Sequence, residues 1–248
     1  MFDIALKERI LKHVNCQAIA NNPTQIKLKI NENKRVFIIS DLDANLAKFE
    51  QALVAVDFDE SNDVLFSLGD AIDRGNDNFA LLSRFKELGV YMTLGNHEHM
   101  MLESLLADDH SYYTLWVENG GRWHTQATDD ELKAIIEQLL QCPLSYLLDY
   151  AGLQIGLSHT VSADWNWQAP SEHKPYAAAS LLWDRTIVKQ TITKKNASID
   201  FSVHGHNTTA EPYWLGNTYH IDTHYLSGKP TIVELKPLIK AFTQLNSV

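Results

Sequence analysis

Two short stretches decide the fold of this chain: GDAIDRG at residues 69–75 and GNHE at residues 95–98. Each follows a run of apolar residues, Val64–Leu68 before the first and Val90–Leu94 before the second. Short apolar runs bounded by turn residues are typical of buried strands. Polar side chains that follow neighbouring parallel strands meet at the carboxyl edge of the sheet, where open α/β sheets bind ligands. We therefore expect the polar residues of the two stretches to lie close together.

Outward from these stretches, the sequence alternates between strand and helix patterns. Three apolar runs are each followed by a segment in which apolar residues recur at helical spacing. This alternation predicts a parallel sheet covered by helices on both faces. The predicted strands are Val36–Ile39, Val64–Leu68 and Val90–Leu94, and the predicted helices are Asn45–Val56, Asn78–Leu88 and His97–Leu106.

The second half of the chain has a different pattern, with a helix near Asp130–Leu140 followed by strands. Ala151-Gly152 separates the strands Ser145–Tyr150 and Leu153–Ser158, which predicts an antiparallel pair. Further strands are predicted at Ile199–Val203, Thr218–Asp222 and Thr231–Leu235.

The chain is predicted to be one domain over residues 1–248, with its core region at residues 35–235. Residues 1–22 are predicted to form a leading amphipathic helix, because apolar side chains recur at helical spacing between Asp3 and Ala20 and Pro23 follows. Lys27–Ile30 alternates as a short strand.

Composition and charge argue against several classes of function. The 248 residues are 45% hydrophobic, which suits one sizeable core, and the net charge of −10 opposes binding to a nucleic-acid backbone. Cys16 and Cys142 are not in a paired spacing, so we expect neither a disulfide framework nor a thiolate metal site. Residues 1–10 lack an apolar run of signal-peptide or membrane-spanning length. We therefore expect a cytoplasmic protein with no nucleic-acid or membrane partner.

Candidate metal ligands follow five of the predicted strands. Two divalent cations a few ångströms apart can activate water for phosphoryl displacement, and such sites need a shared carboxylate flanked by oxygen and imidazole ligands. A lone aspartate at a strand end is ordinarily a turn or helix cap. Candidates at all five strand ends instead indicate a two-metal site for phosphate esters. They are Asp41 and Asp43 after the first strand, then Asp70, Asn96, His159 and His206.

Arg74 and His97 supply chemistry that metal ions do not. The guanidinium of Arg74 offers paired donors to phosphate oxygens, which predicts a phosphate clamp. His97 adjoins Asn96 and should therefore lie near the leaving-group oxygen. A carboxylate such as Asp73 would hold this histidine protonated for general-acid catalysis.

On these motifs the chain resembles the phosphoprotein phosphatase branch of the calcineurin-like metallophosphoesterases, most closely the small bacterial enzymes similar to the phosphatase of bacteriophage lambda. The resemblance extends from about Arg35 to Leu235. It implies an α/β fold in which two mixed β-sheets form a sandwich flanked by helices. Besides residues 69–75 and 95–98, it rests on Asn119-Gly120-Gly121, Trp183-Asp184-Arg185, Gly205-His206 and Ile221-Asp222-Thr223, in matching order.

The resemblance also implies a metal-dependent phosphatase that acts on phosphorylated proteins, at Ser or Thr, or on small phosphoesters. Two alternatives stay open: a dinucleoside tetraphosphate hydrolase, and a phosphate-binding module that has lost its first metal ion. Oligomeric state is not predicted. The implied roles are metal bridging for Asp70, completion of the second site for Asn96, His159 and His206, proton donation for His97 with Asp73, and phosphate binding for Arg74 and Arg185.

The sequence departs from the family pattern at Asp43. The family's first motif is Gly-Asp-x-His-Gly, whereas this chain reads Ser40-Asp41-Leu42-Asp43-Ala44. With three carboxylates the first site would favour Mn²⁺ or Mg²⁺ over Zn²⁺, although Fe and Zn²⁺ are alternatives. The competing interpretation is that Asp43, shorter than histidine, does not reach the metal and leaves the first site weak or empty.

Other residues near the motifs are assigned ordinary structural roles. His224 is expected to point to solvent, with contact to a metal or substrate as the alternative. His99 and His204 are expected to be hydrogen-bonded within the fold. Trp165 and Trp167 are expected in the core, with a substrate groove as the alternative.

Overall fold

The computed structural model describes residues 13–245, which form two mixed sheets. The larger sheet has six strands in the order β1-β5-β6-β7-β9-β8, and the smaller has four in the order β10-β2-β3-β4. The strands are β1 (Ile26–Lys29), β2 (Val36–Ile39), β3 (Val64–Ser67), β4 (Tyr91–Met92), β5 (Ser145–Tyr150), β6 (Leu153–Ser158), β7 (Phe201–His204), β8 (Tyr213–Leu215), β9 (Thr218–His220) and β10 (Ile232–Glu234).

Strand direction brings the strand ends of both sheets to one region. β2, β3 and β4 run parallel, as do β6, β7 and β9, while β5 pairs with β6 in antiparallel register and β10 with β2. The predicted parallel core and the predicted hairpin are both confirmed. The implied arrangement of two mixed sheets is confirmed as well.

Nine α-helices lie among the described residues. None of them is long and apolar enough to span a lipid bilayer. They are α1 (Leu46–Ala55), α2 (Asn78–Leu88), α3 (Asn96–Leu106), α4 (His110–Glu118), α5 (Asp129–Leu139), α6 (Lys174–Ala178), α7 (Thr186–Lys189), α8 (His224–Ser227) and α9 (Leu235–Leu245).

The alternation of side chains along β2 shows how the layers pack. Val36 and Ile38 belong to the apolar cluster that includes strand residues of the larger sheet. Phe37 and Ile39 belong to a second cluster, together with residues of the helices. Successive residues of a strand point to opposite faces. Both faces of the smaller sheet are therefore buried, which explains why its strands are continuously apolar.

The prediction of a helix through Ala20 is wrong for residues 14–22, which form irregular turns. The buried carboxylate of Glu103 accepts the backbone N–H of Ala18, at 3.0 Å, and the fully buried Ile19 packs in the core. Contacts distant in sequence therefore override the local helical spacing. Residues 1–12 of that prediction lie outside the described residues.

Two further predictions differ from the structure at element ends. β4 comprises only Tyr91–Met92 because Leu94 N already donates to Pro143 O, at 3.0 Å, rather than to a strand partner. α9 begins where the last strand was predicted to end, and it was not predicted.

Candidate metal centre

The candidate metal ligands lie in loops that follow the carboxyl ends of parallel strands in both sheets. The loops after β2 and β3 are joined, because Leu42 N and Asp43 N both donate to Asp70 O, at 3.0 and 3.2 Å. A Cβ on Gly205, which follows β7, would overlap the Asp41 carboxylate. The backbone thus brings both sheets within contact distance of the same carboxylates.

Asp70, His159 and His206 form the group of side chains best placed to hold a cation. One ligand atom from each lies within 4.8 Å of the others, and all three residues are buried. The Nδ1 atom of His159 lies 2.9 Å from Leu68 O, a hydrogen-bond acceptor, so this nitrogen carries the ring proton. Its Nε2 then faces Asn96 Oδ1 at 2.9 Å and Asp70 Oδ1 at 3.4 Å. The electron pairs of His159 Nε2, Asn96 Oδ1 and Asp70 Oδ1 are directed at one another, and a cation bound between them would remove their mutual repulsion.

His206 is also arranged as a metal ligand. Both of its ring nitrogens are buried without a hydrogen-bond partner among the described residues. Burial, aided by His159 and by the charge of Arg185, holds the pKa of His206 well below its usual range. The ring is therefore neutral, with a free electron pair in a site where unsatisfied polar atoms are costly.

Crowded carboxylates surround this group. Burial raises the pKa of Asp41; His159 partly offsets this, and neighbouring Asp70 adds to it. Burial, followed by the charge of Asp41, raises the pKa of Asp222 to about 8. Both carboxylates line the same cavity as Asp70. The residues present fit divalent cations, since oxygen and imidazole donors converge in a buried region with excess negative charge.

His97 and Asp73 form a hydrogen-bonded pair beside the candidate ligands. The Nδ1 atom of His97 lies 2.6 Å from Asp73 Oδ2, and both side chains are buried. The Asp73 carboxylate also accepts the indole N–H groups of Trp116, at 3.0 Å, and Trp123, at 2.6 Å. Three donors on one buried carboxylate fix its orientation.

The other nitrogen of His97 contacts Arg74. Because a guanidinium has no acceptor, the 2.7 Å contact between Arg74 and His97 Nε2 is a hydrogen bond donated by the arginine. Burial would lower the pKa of His97, but Asp70 and Asp73 outweigh it and raise the pKa to about 9. A proton on Nε2 is therefore favoured once Arg74 moves away, for example onto a bound anion.

Arg74 and Arg185 line one cavity of about 200 Å³ with four of the metal-ligand candidates, Asp41, Asp70, Asn96 and His206. Arg185 donates to the backbone oxygen of His206 at 3.0 Å. Arg74 donates to Asp43 Oδ1 at 2.7 Å. Asp43 and His159 are absent from the cavity lining, which consists of Asp41, Asp70, Arg74, Asn96, His97, Met100, Leu115, Asn119, Trp183, Arg185, His206, Thr208 and Asp222.

The model of the calcineurin-like phosphoesterase family matches residues 34–231. The chain belongs to this family. Members of the family are metallophosphoesterases, which use divalent metal ions to hydrolyse phosphoester bonds. The resemblance proposed from the motifs is thereby confirmed.

Similar proteins include two kinds of phosphoesterase. Serine/threonine-protein phosphatase 1 of Salmonella typhimurium is 27% identical over 198 residues, which cover 77% of this chain and 86% of that protein. A symmetrical bis(5'-nucleosyl)-tetraphosphatase of Nitrosospira multiformis is 37% identical, but over 70 residues, which cover 27% of this chain and 26% of that protein. A solved protein serine/threonine phosphatase from Saccharomyces cerevisiae shares the fold, with a TM-score of 0.53, 12% identity, and coverage of 88% and 76% of the two chains.

Glu98 of this phosphoesterase organises both motif stretches, and sequence analysis did not assign it a role. Its carboxylate accepts the N–H groups of Asp70, at 2.9 Å, Ala71, at 2.8 Å, and Gly95, at 2.8 Å. Glu98 is the third residue of α3 and closes a capping box with Gly95. A glutamate three residues after a helix N-cap was the available signal.

Trp116 and Trp123 were also missed as partners of Asp73. Tryptophan is ordinarily a core residue, so its spacing in the sequence gives no sign that an indole N–H donates to a particular carboxylate. Trp183, which lines the cavity, donates to His99 Nδ1 at 2.9 Å.

The remaining predictions for histidine and tryptophan are mostly confirmed. His204 is buried beside Ser202 Oγ, at 2.7 Å, and His99 beside Asn15 O, at 2.7 Å. Trp165 and Trp167 belong to the apolar core, so they do not line a substrate groove. The expectation that His224 points to solvent is wrong. Its side chain is 8% exposed and contacts Lys48 and Asp43, because α8 turns it inward.

Backbone conformations in the left-handed region occur repeatedly at this site. Asp43, Asp70, Asp73, Arg74 and His206 have φ values of 48°, 50°, 72°, 61° and 61°. Such conformations in residues other than glycine cost about 1–3 kcal/mol each and persist only where the surrounding structure holds them. Their concentration at the candidate site indicates that the fold gives up some folding free energy to hold these side chains in their orientations.

Proposed function

We propose that this chain is a divalent-metal-dependent phosphatase that removes phosphate from Ser or Thr residues of phosphoproteins. The observation that carries the proposal is one cavity lined by Asp70, His206, His97 and Arg74. Directly behind this lining, His159 groups with Asp70 and His206, and Asp73 is hydrogen-bonded to His97. These are the parts that hydrolysis of a phosphate monoester needs: cation ligands, an acid and an anion clamp.

Two cation sites are proposed, with Asp70 shared between them. Asn96, His159 and His206 would complete the second site, and Asp41 would belong to the first, where Asp43 is the third predicted ligand. When bound, the cations supply an activated water molecule and neutralise the charge on the phosphoryl group. Mn²⁺ is the proposed ion, since oxygen-rich sites with some imidazole suit it.

The protein side chains would do the rest. Arg74 and Arg185 bind the phosphate oxygens, and the move of Arg74 onto the phosphate releases Nε2 of His97. That nitrogen then takes up a proton from solvent, which the raised pKa of His97 favours, and donates it to the oxygen of the leaving serine or threonine, while Asp73 holds Nδ1. The acceptance of two indole N–H groups keeps Asp73 from turning away.

The choice of phosphoprotein over dinucleoside polyphosphate rests on the extent of similarity. The similarity to the Salmonella phosphatase extends over most of both chains, whereas that to the tetraphosphatase covers about a quarter of each. The shorter match supports shared phosphate chemistry without supporting a shared substrate.

A competition assay tests the proposal. Purified protein with Mn²⁺ is given a phosphothreonine peptide or diadenosine tetraphosphate, and kcat/KM is compared for the two. We expect preference for the peptide, with activity abolished by a chelator and lowered about 10²–10⁴-fold by His97→Asn. A strong preference for the nucleotide would favour the second function. Metal and phosphate binding without turnover of either substrate would indicate a binding module.

A further inference from the structure

Asp43 occupies the position at which the family pattern has a metal-ligating histidine, yet both of its oxygens face cationic or N–H groups. Oδ1 accepts a hydrogen bond from Arg74 at 2.7 Å, and Oδ2 lies 3.3 Å from His224 Nδ1. Among residues 13–245, Asp70, His159 and His206 converge as a cation site, and neither Asp43 nor Asp41 is among them, so the hydrogen bond with Arg74 is what distinguishes Asp43. The carboxylate therefore points toward the phosphate clamp.

His224 is itself held in place through its other ring nitrogen, Nε2. Lys48 Nζ lies 2.9 Å from His224 Nε2. An ammonium group has three donors and no acceptor, so the imidazole nitrogen must accept this hydrogen bond. The ring proton is then on Nδ1, which lies 3.3 Å from Asp43 Oδ2 and makes no hydrogen bond within the described residues. Lys48 in α1 and His224 in α8 together place an N–H group beside the carboxylate.

Asp43 in turn holds the guanidinium of Arg74. Its guanidinium is held by Asp43 on one nitrogen and by His97 on the other, both at 2.7 Å. The Arg74 side chain is 41% exposed, so packing alone does not fix it. A flexible arginine loses rotamer entropy when it binds an anion, and an anchor that holds it in place beforehand reduces that cost.

We propose that Asp43 is a positioning residue for Arg74, held in place by His224 and Lys48, in place of the metal ligation predicted from the sequence. The inference rests on the proposed function in one respect, that Arg74 binds the phosphate. In this chain, the loop after β2 would then supply one metal ligand, Asp41, and one anchor for the phosphate clamp.

The test compares Asp43→Asn with Asp41→Asn. The metal content of each variant is measured after equilibration with Mn²⁺ and gel filtration, and Mn²⁺ affinity is measured by calorimetry. We expect Asp43→Asn to keep the wild-type number of ions and wild-type affinity, whereas Asp41→Asn loses an ion. Loss of an ion from Asp43→Asn, as from Asp41→Asn, would show that Asp43 is a ligand and overturn the inference.

Phosphate recognition provides a second readout. In Asp43→Asn we expect KM for p-nitrophenyl phosphate and the inhibition constant of inorganic phosphate to rise about five- to tenfold, with a smaller change in kcat. His224→Gln should shift both constants in the same direction by less. Combining Asp43→Asn with Arg74→Ala should raise them no further than Arg74→Ala alone. Additive effects would contradict action through Arg74.

Failure of this inference is distinguishable from failure of the proposed function. If the wild-type protein hydrolyses no phosphoester, the proposed function fails. Metal content and direct calorimetric binding of inorganic phosphate still decide the role of Asp43. Unchanged phosphate affinity in both Asp43→Asn and His224→Gln would overturn the positioning role whether or not the protein turns over substrate.

Discussion

The two nitrogens of His97 have different partners, and this difference gives the residue its proposed role. Nδ1 is bound to a buried carboxylate that cannot move, while Nε2 is bound to an arginine whose side chain is 41% exposed. Only the second contact can be given up when an anion enters. A general acid needs this asymmetry, because one side of the ring must be fixed and the other must be free to transfer a proton.

His97→Asn should therefore lower kcat for p-nitrophenyl phosphate by about 10²–10⁴-fold, the usual contribution of a positioned acid. Metal content should not change, since Asp70, His159 and His206 are intact. The exposed His173, converted to Asn, serves as the control and should keep wild-type kcat. A fall in kcat of less than threefold in His97→Asn would exclude this residue as the acid.

At the scale of one element, the start of α3 shows how a helix cap can assemble a site. Each oxygen of Glu98 accepts two backbone N–H groups: Oε2 those of Asp70 and Gly95, and Oε1 those of Ala71 and Ile72. In the second capping box, Glu131 at the start of α5 has the same sequence position, but it is half-buried and its hydrogen bonds with Thr128 are exposed to solvent. The two glutamates therefore form a matched pair.

Glu98→Gln should destabilise the protein by about 2–4 kcal/mol, because either orientation of the amide turns its NH₂ group toward backbone donors in a buried site. Glu131→Gln should cost less than about 1 kcal/mol, since Gln can turn its oxygen toward Thr128 and water satisfies the rest. Urea unfolding of the two variants measures the difference. Equal losses of stability would contradict the assembly role of Glu98.

β9 contributes a buried histidine that makes stability depend on pH. Burial lowers the pKa of His220 from its ordinary value of 6.5 to about 4, and its Nδ1 has no hydrogen-bond partner among the described residues. In the unfolded chain this group binds a proton below about pH 6.5, whereas the folded protein resists protonation. The stabilisation is therefore fully present above pH 6.5 and is lost as the pH falls toward 4.

This effect should amount to about 3 kcal/mol of unfolding free energy between pH 6.5 and 4. His220→Gln removes the group, so the pH slope of the variant should be shallower than that of the wild type. Urea unfolding at pH 7, 5.5 and 4.5 in the presence of a chelator measures both slopes without interference from metal ions. Parallel slopes would show that His220 does not titrate differently on folding.

At the scale of the whole molecule, the candidate metal ligands come from both sheets. Asp41, Asp70 and Asn96 follow strands of the smaller sheet, whereas His159 and His206 follow strands of the larger one. Crowded carboxylates and the unpaired imidazole of His206 meet at this junction. Ions that bind there should therefore hold the two sheets together as well as support catalysis.

Free Mn²⁺ at 100 times its Kd should stabilise the folded state by about 2.7 kcal/mol, which raises Tm by about 5–10 °C for a chain of this size. Differential scanning calorimetry with and without a chelator measures this shift. The variant Asp70→Asn lacks the shared carboxylate and should show little dependence on Mn²⁺. A metal-dependent Tm shift of the same size in that variant would contradict the proposed ligand set.

The sequence by itself determined the parallel strands, the hairpin and the location of the candidate ligands. Apolar residues identified β2 and β3, the hairpin of β5 and β6, and the helix at Asn78–Leu88. A strand buried on both faces is apolar at every position, and a helix buried on one face is apolar at helical spacing. Polar residues at the ends of those strands identified Asp70, Asn96, His159 and His206 as candidates, since strand ends converge in parallel sheets.

Tertiary structure alone decided the partners of those residues. Whether Asp43 faces a metal or Arg74, and which indoles hold Asp73, depends on contacts between residues distant in sequence, such as His224 with Asp43 and Trp123 with Asp73. Residues 14–22 form turns for the same reason, since the carboxylate of Glu103 accepts the backbone N–H groups of Ala18 and Ile19. Local spacing determines which face of an element is buried, whereas a hydrogen-bond partner is chosen by the packing that brings distant segments together.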